Sequence, residues 1–156
     1  MNTILLSALL SMTPLGELRA GLPVAFATGV NPWIAYVVCV LANGLVAPIL
    51  FLFLEYLHTH FLHIKTYQTL FDKFMENTRT KTEPYVKKYG YWGLAIFVAI
   101  PIPFTGAYTG ALGAWFLGMN KWKSILSIFI GVAIAGAIVL GILLTGATAW
   151  QWIVKA

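Results

Sequence analysis

Residues 33–54, WIAYVVCVLANGLVAPILFLFL, and residues 124–150 run without a single charged side chain. At 1.5 Å of rise per helical residue, stretches of this length cross the ~30 Å hydrocarbon core of a bilayer. Lipid restricts what such segments can be, because every backbone N–H and C=O there needs an internal partner, which helices and closed barrels supply. Composition agrees: 60% of the 156 residues are hydrophobic and only 10% charged, with a mean hydropathy of +0.82, where soluble domains carry about a quarter charged residues. The chain reads as an all-α integral membrane protein, one domain over residues 1–156. The opening MNTILLSALLSM has neither a basic leader nor a small-residue cleavage site and is expected to be part of the fold. Cys39 is the single cysteine, so no intrachain disulfide forms, and it reads as packing filler.

Sliding the sequence against itself by 89 positions brings Pro14 onto Pro103, Gly21 onto Gly110, Ala25 onto Ala114, Gly29 onto Gly118, Asn31 onto Asn120 and Trp33 onto Trp122. Ala42-Asn43-Gly44 then faces Gly131-Val132-Ala133 in the same register. Six ungapped identities within twenty residues argue for an internal repeat, of the kind that builds transporter folds. The units are residues 2–56 and 91–150, joined by a connector at 57–90. Each has an apolar stretch of about eleven residues, a proline break, a second such stretch, a tight turn and a full spanning helix. Pro14, Pro23, Pro101 and Pro103 are the expected breaks.

Eleven helical residues rise only ~16 Å, half a bilayer, so two halves joined at a break form either a re-entrant hairpin or one bent span. Charge placement favours the hairpin. With hairpins, Lys65, Lys73, Arg79, Lys81, Lys87, Lys88, Lys121 and Lys123 share one side, leaving Lys155 opposite and Arg19 within the membrane. The positive-inside rule makes that side cytoplasmic and puts both termini outside, in a plasma-membrane protein whose two units are inverted repeats.

In the connector, Phe61, Ile64, Tyr67, Phe71, Phe74 and Met75 recur at helical spacing between Lys65, Asp72, Lys73 and Glu76. This predicts an amphipathic helix bending onto the membrane surface, with its lysines facing anionic headgroups, or else a plain solvated link. Pro84 is expected to start the next helix. Glu55, His58, His60 and His63 tempt toward a metal, but convergent ligands and a second shell are not evident, so interfacial histidines are the reading and no metal or cofactor is expected.

The breaks carry the chemistry. Glu17 and Arg19 follow Pro14 closely and, in a hairpin, lie near its tip, deep in oil, where charges are rare and usually functional. One reading is a buried pair that holds the tip together. The other gives them separate tasks: a desolvated carboxylate favours its neutral form, so Glu17 is the candidate proton-coupling residue, and Arg19 offers a fork for phosphate or carboxylate. Half-helices starting near Glu17 and near Thr105 or Gly106 point their N–H groups inward, with Thr105 a candidate cap. Together with Arg19 they form an anion-friendly pocket. In the second break Thr105, Tyr108 and Thr109 supply hydroxyls, and Gly106, Gly110 and Ala114 form a small-residue stripe, like Gly131, Ala135, Gly136 and Gly141 on the last helix.

PLGELRAGLP followed by PIPFTGAYTGALGA resembles the small multidrug export family, which is similar in plan to the DedA membrane proteins. The resemblance covers nearly the whole chain, with Glu17 and Arg19 on the first motif and Thr105, Gly106, Tyr108, Thr109 and Gly110 on the second. It implies an inverted repeat of re-entrant hairpin plus spanning helix, and proton-coupled transport, of lipid phosphates in the DedA case. The second motif lacks the arginine typical of the second DedA hairpin. Three functions follow: a transporter or flippase for an anionic amphiphile, with Arg19, Thr105, Gly106, Tyr108 and Thr109 binding it; an exporter of cationic drugs; or a non-transporting scaffold. Arg19 beside Glu17 disfavours the cationic drug. No catalytic constellation points to an enzyme, and the expected partners are membrane lipid, a small amphiphilic substrate and a second copy of the chain, not nucleic acid. The homodimer is expected to meet along the small-residue stripes.

Overall fold

A computed structural model describes residues 3–14, 16–56, 65–100 and 105–155. The described residues form helices joined by short turns: α1 Thr3–Ser11, α2 Glu17–Ala27, α3 Pro32–Tyr56, α4 Lys65–Ala99, α5 Ala107–Phe116 and α6 Lys121–Lys155. Among them, α3 and the Lys121–Gly146 part of α6 are long and apolar enough to cross a membrane. These two form the scaffold and run antiparallel. Tyr36 Oη donates to Ala133 O (3.0 Å), Gly44 lies against the Phe129 ring, and Lys121 Nζ meets Glu55 Oε2 at 2.7 Å.

The short helices fold back along their predecessors. A Cβ at Gly21 would stand 2.3 Å from Ser7 O, so α2 lies backbone-close against α1; α5 packs on α4 with Gly110 against the Val98 side chain. The turns that return the chain to α3 and α6 are built alike. Gly29 and Gly118 take positive φ (78° and 65°), which glycine adopts without a steric cost. At the first, Gly29 and Val30 donate back to Phe26 and Ala25; at the second, Gly118 and Met119 donate to Trp115 and Ala114. Asn31 Oδ1 then accepts from the Trp33 N–H and Asn120 Oδ1 from the Lys123 N–H, each capping the helix that follows. The matched residues of the sequence thus do matched work.

The core runs between the two long helices and the short ones, around Leu18, Leu22, Phe51, Phe97, Ile128 and Val132, all at or below 2% exposure. Outward from it, Val37, Leu41, Leu45, Ile49 and Leu52 line one face of α3 and stand about half exposed. A continuous apolar band of this kind is unfavourable in water and suits contact with lipid. This band and the two long apolar helices suit a membrane location.

Three expectations change. Pro84 does not begin a helix: α4 runs through it and is interrupted instead at Gly90 (φ 59°, ψ −131°), where the 65–89 segment folds back on 91–99 and sets Tyr85 beside Phe97. Pro23 is not a break either, since α2 continues through it at the cost of one intrahelical hydrogen bond to the Arg19 carbonyl. Pro14 lies in the turn between α1 and α2, whereas Pro101 and Pro103 fall outside the described residues. Finally, the amphipathic face of α4 packs on protein. Met75 is buried with Leu54 and Leu112, Phe71 meets Trp115 edge-on, and the stripe continues through the buried Thr78 and Thr82. Phe61, Ile64, the histidines 58, 60 and 63, and the side chains of Tyr67 and Phe74 lie outside what is described. On the open side of α4, Glu83 sits between Lys87 and Arg79, whose hydrogen bonds hold its carboxyl below the usual carboxylate range, Lys87 contributing more.

The packing of α4 has a measurable consequence. Amides around Met75–Thr82 should resist hydrogen exchange, and Met75→Ala should destabilise the protein by about 2–5 kcal/mol, as buried Met truncations do. A helix resting on lipid alone would exchange the same amides readily after extraction into detergent and would tolerate the truncation.

Candidate functional site

The chain between α1 and α2 is held by Thr13, whose Oγ1 donates to Leu10 O (2.7 Å) and accepts from the Gly16 N–H (3.2 Å). The Glu17 N–H donates to Thr13 O. Glu17 itself takes φ 48°, alone among the described non-glycine residues in having positive φ. That conformation costs about 1–2 kcal/mol for an L-residue and marks the position as one held by its surroundings.

Those surroundings are the start of α5. Glu17 is 7% exposed, and a Cβ at Gly106 would fall 1.6 Å from its Oε2. Only a glycine at 106 leaves the carboxylate this place. The Tyr108 backbone N–H is also directed at it. The carboxylate therefore sits at the positive end of α5, where free N–H groups and the helix dipole favour an anion. The N-cap position falls on Gly106 and not on Thr105.

Arg19 is half-buried and reaches the same break from the other side. Its Nη2 donates to Ile100 O (3.1 Å) and Thr105 Oγ1 (3.2 Å), and Thr105 Oγ1 donates in turn to Ile100 O (2.8 Å). Tyr108, the residue that the 89-position shift pairs with Arg19, makes the reverse crossing: its hydroxyl donates to Met12 O at 2.5 Å. Each short helix thus ties down the carbonyl left open where the opposite first helix stops. This is how backbone polar groups at a break are satisfied away from water.

Glu17, Arg19, Asn43 and Gly106 line one small interior cavity of about 10 Å³, closed by Val98, Val132 and Ala135. The shift of 89 pairs Glu17 with Gly106 and Asn43 with Val132, so corresponding positions of the two sequence units meet here. The first unit supplies the polar member each time. Of the residues expected from sequence, Glu17, Arg19 and Gly106 share this cavity, Thr105 joins through Arg19, and Tyr108 contributes its backbone. Thr109 is buried but does not line the cavity. Asn43 escaped the sequence reading. An amide inside an otherwise uncharged spanning stretch was the available signal.

The small-residue stripes also find their partners. Gly110 and Gly131 approach Val98, while Gly136 faces Tyr36 and Val40. They are spent within one chain, so a contact between copies along them is not what they build. Gly141 alone of these has open space around it.

Neither a curated protein nor a solved structure matches the chain. A sequence family described as "Putative small multi-drug export protein" matches residues 17–138, from the buried glutamate to the middle of α6, and the chain belongs to that family.

Proposed function

We propose that this protein is a small proton-coupled membrane transporter that moves an anionic amphiphile, such as a lipid phosphate. The observation that carries the reading is the Glu17 carboxylate at the N-terminus of α5, beside Arg19. A site that favours anions is built in the interior, and an internal anion fills it. Protonation of Glu17 removes that anion. Once the cavity opens beyond the single water it now admits, the α5 N–H groups and the Arg19 fork suit a phosphate or carboxylate headgroup, so a proton and an anionic substrate bind together. Loss of the proton restores the internal carboxylate and expels the headgroup. The family's description supports a membrane transporter in general. Export of a cationic drug is the weaker reading, because Arg19 repels a cation from the cavity that it lines.

In this reading α1–α2 and α4–α5 are re-entrant hairpins of inverted repeats, similar in plan to DedA proteins. The antiparallel run of α3 and α6 supports it, as does the clustering of charge at one end. Lys121 pairs with Glu55, Lys123 lies over the Tyr91 ring and Arg79 over the Phe116 ring. That end is cytoplasmic in the plasma membrane, both termini are outside, and the functional unit is a homodimer that meets on exposed apolar faces.

Proteoliposomes with a short-chain phosphatidic acid as probe test the mechanism. Glu17→Gln should keep binding the probe and lose the dependence of its movement on a pH gradient. Arg19→Ala should weaken binding roughly ten- to a hundredfold, the loss of charge-assisted hydrogen bonds. Unchanged, gradient-driven movement in Glu17→Gln would remove the proton-coupling claim, and improved export of a cationic dye by Arg19→Ala would favour the drug reading. Topology is tested with a cysteine placed at Lys121 or Lys123 in a Cys39→Ala background. A membrane-impermeant thiol reagent should reach it from the same side as a cysteine at Lys81; labelling from the opposite side would rule out the hairpins.

A further inference from the structure

Asn43 is 3% exposed, and its Oδ1 has no hydrogen-bond partner among the described residues. It lies on α3, a different element from Glu17 and Arg19, yet lines the same cavity. A buried acceptor without a donor is costly, about 1–3 kcal/mol, and such groups in a folded protein call for a reason. The other acceptor in the cavity is the Glu17 carboxylate. Asn43 and the Glu17 carboxylate line one space of about 10 Å³, and the Asn43 Oδ1 is short of one hydrogen. An ionised carboxylate has none to give, but a protonated one is a donor.

We propose that Asn43 is the proton-stabilising partner of Glu17: its Oδ1 accepts the hydrogen bond of the protonated carboxyl, directly or across the single water that the space admits. The step is a proton transfer only: a proton from water adds to a Glu17 carboxylate oxygen, and the O–H so formed points at Asn43 Oδ1. In the ionised state the carboxylate is held by the α5 N-terminus and Arg19. In the neutral state those contacts lose most of their worth and Asn43 gains its own. The two states thus have different partners, as a binding site that switches with protonation requires. The other groups facing the carboxylate are Arg19 on its own helix and Tyr108 on α5. The walls from α4 and α6 are Val98, Val132 and Ala135, which do not titrate.

Size and charge favour a proton over a metal cation here. The cavity has room for about one water at most, and Arg19 lines it. Sodium would need several more oxygen ligands than Glu17 and Asn43 provide. The 89-position counterpart of Asn43 is Val132, so Asn43→Val converts the residue to the one its own repeat partner carries, with a side chain of similar bulk.

This inference rests on Glu17 as the group that protonates, and its test needs no transport. The full-length protein in lipid nanodiscs is titrated by infrared difference spectroscopy, the Glu17 carboxyl C=O band being identified by its loss in Glu17→Gln. In Asn43→Val the band should shift to higher wavenumber, and its appearance should need about tenfold more protons, the size of one lost hydrogen bond. An unchanged band and midpoint would overturn the proposal even if proton-coupled transport is intact. A shifted band without any lipid-phosphate movement would uphold it while removing the transport reading. If Asn43→Val does not fold, the wild-type band decides: a frequency of a carboxyl free of hydrogen bonds overturns the proposal, a hydrogen-bonded one that Asn43→Gln perturbs upholds it. Replacing potassium by sodium should leave both unchanged; a sodium-dependent loss of the band would assign the site to that ion instead.

Discussion

The rest of the structure depends on how two charged side chains are kept out of water. A carboxylate or guanidinium moved into a low-dielectric interior carries a penalty of several kcal/mol unless paired and hydrogen-bonded. Here Glu17 is placed against the N-terminus of α5, and Arg19 binds the carbonyl and hydroxyl at the opposite break. Both find these partners in the other half of the chain. The two halves are therefore joined by these crossing contacts. This interlock fixes where α2 and α5 lie, and from them the course of α3 and α6.

The lock is reciprocal in position but not in chemistry. Arg19 crosses one way and Tyr108, its counterpart by the 89-residue shift, crosses the other. Glu17 faces Gly106, and Asn43 and Val132 line the same cavity, with one polar and one non-polar member in each pair. An arrangement in which only one of two facing positions is polar has a simple physical advantage. Two glutamates meeting at the centre would repel, and two glycines would leave a gap with nothing to bind. Carboxylate against glycine fills the space and supplies a single titratable group.

Packing explains why the sequence misread the connector. The apolar stripe of Phe71 and Met75 continues through Thr78 and Thr82, which read as polar by type. Both are buried, and Thr82 is packed against Gly113 of α5. A threonine presents a methyl group as well as a hydroxyl, and which one faces the neighbour is not encoded in its identity. Pro84 misled in the same way: the strength of a proline as a stop depends on whether tertiary packing repays one missing hydrogen bond, while Gly90 was needed for a turn that no other residue makes cheaply.

The sequence by itself determined the membrane character, the two spanning helices, the paired turns and the oddity of Glu17 and Arg19. These are local quantities: uncharged length, glycine and asparagine at fixed offsets, and the cost of a charge in oil. It did not determine what the charges touch. Gly106 stands at the 89-position offset from Glu17 and is expected in its pocket, but Ile100 and Asn43, 81 and 26 positions from the residues they serve, carry no such signal. Only the tertiary structure decided that the Glu17 carboxylate would occupy a helix end, that the small-residue stripes would be consumed inside one chain, and that a lone amide would look into the same cavity. The physical reason is that burial of polar groups is satisfied in three dimensions, by whichever distant donor or acceptor the packed helices deliver.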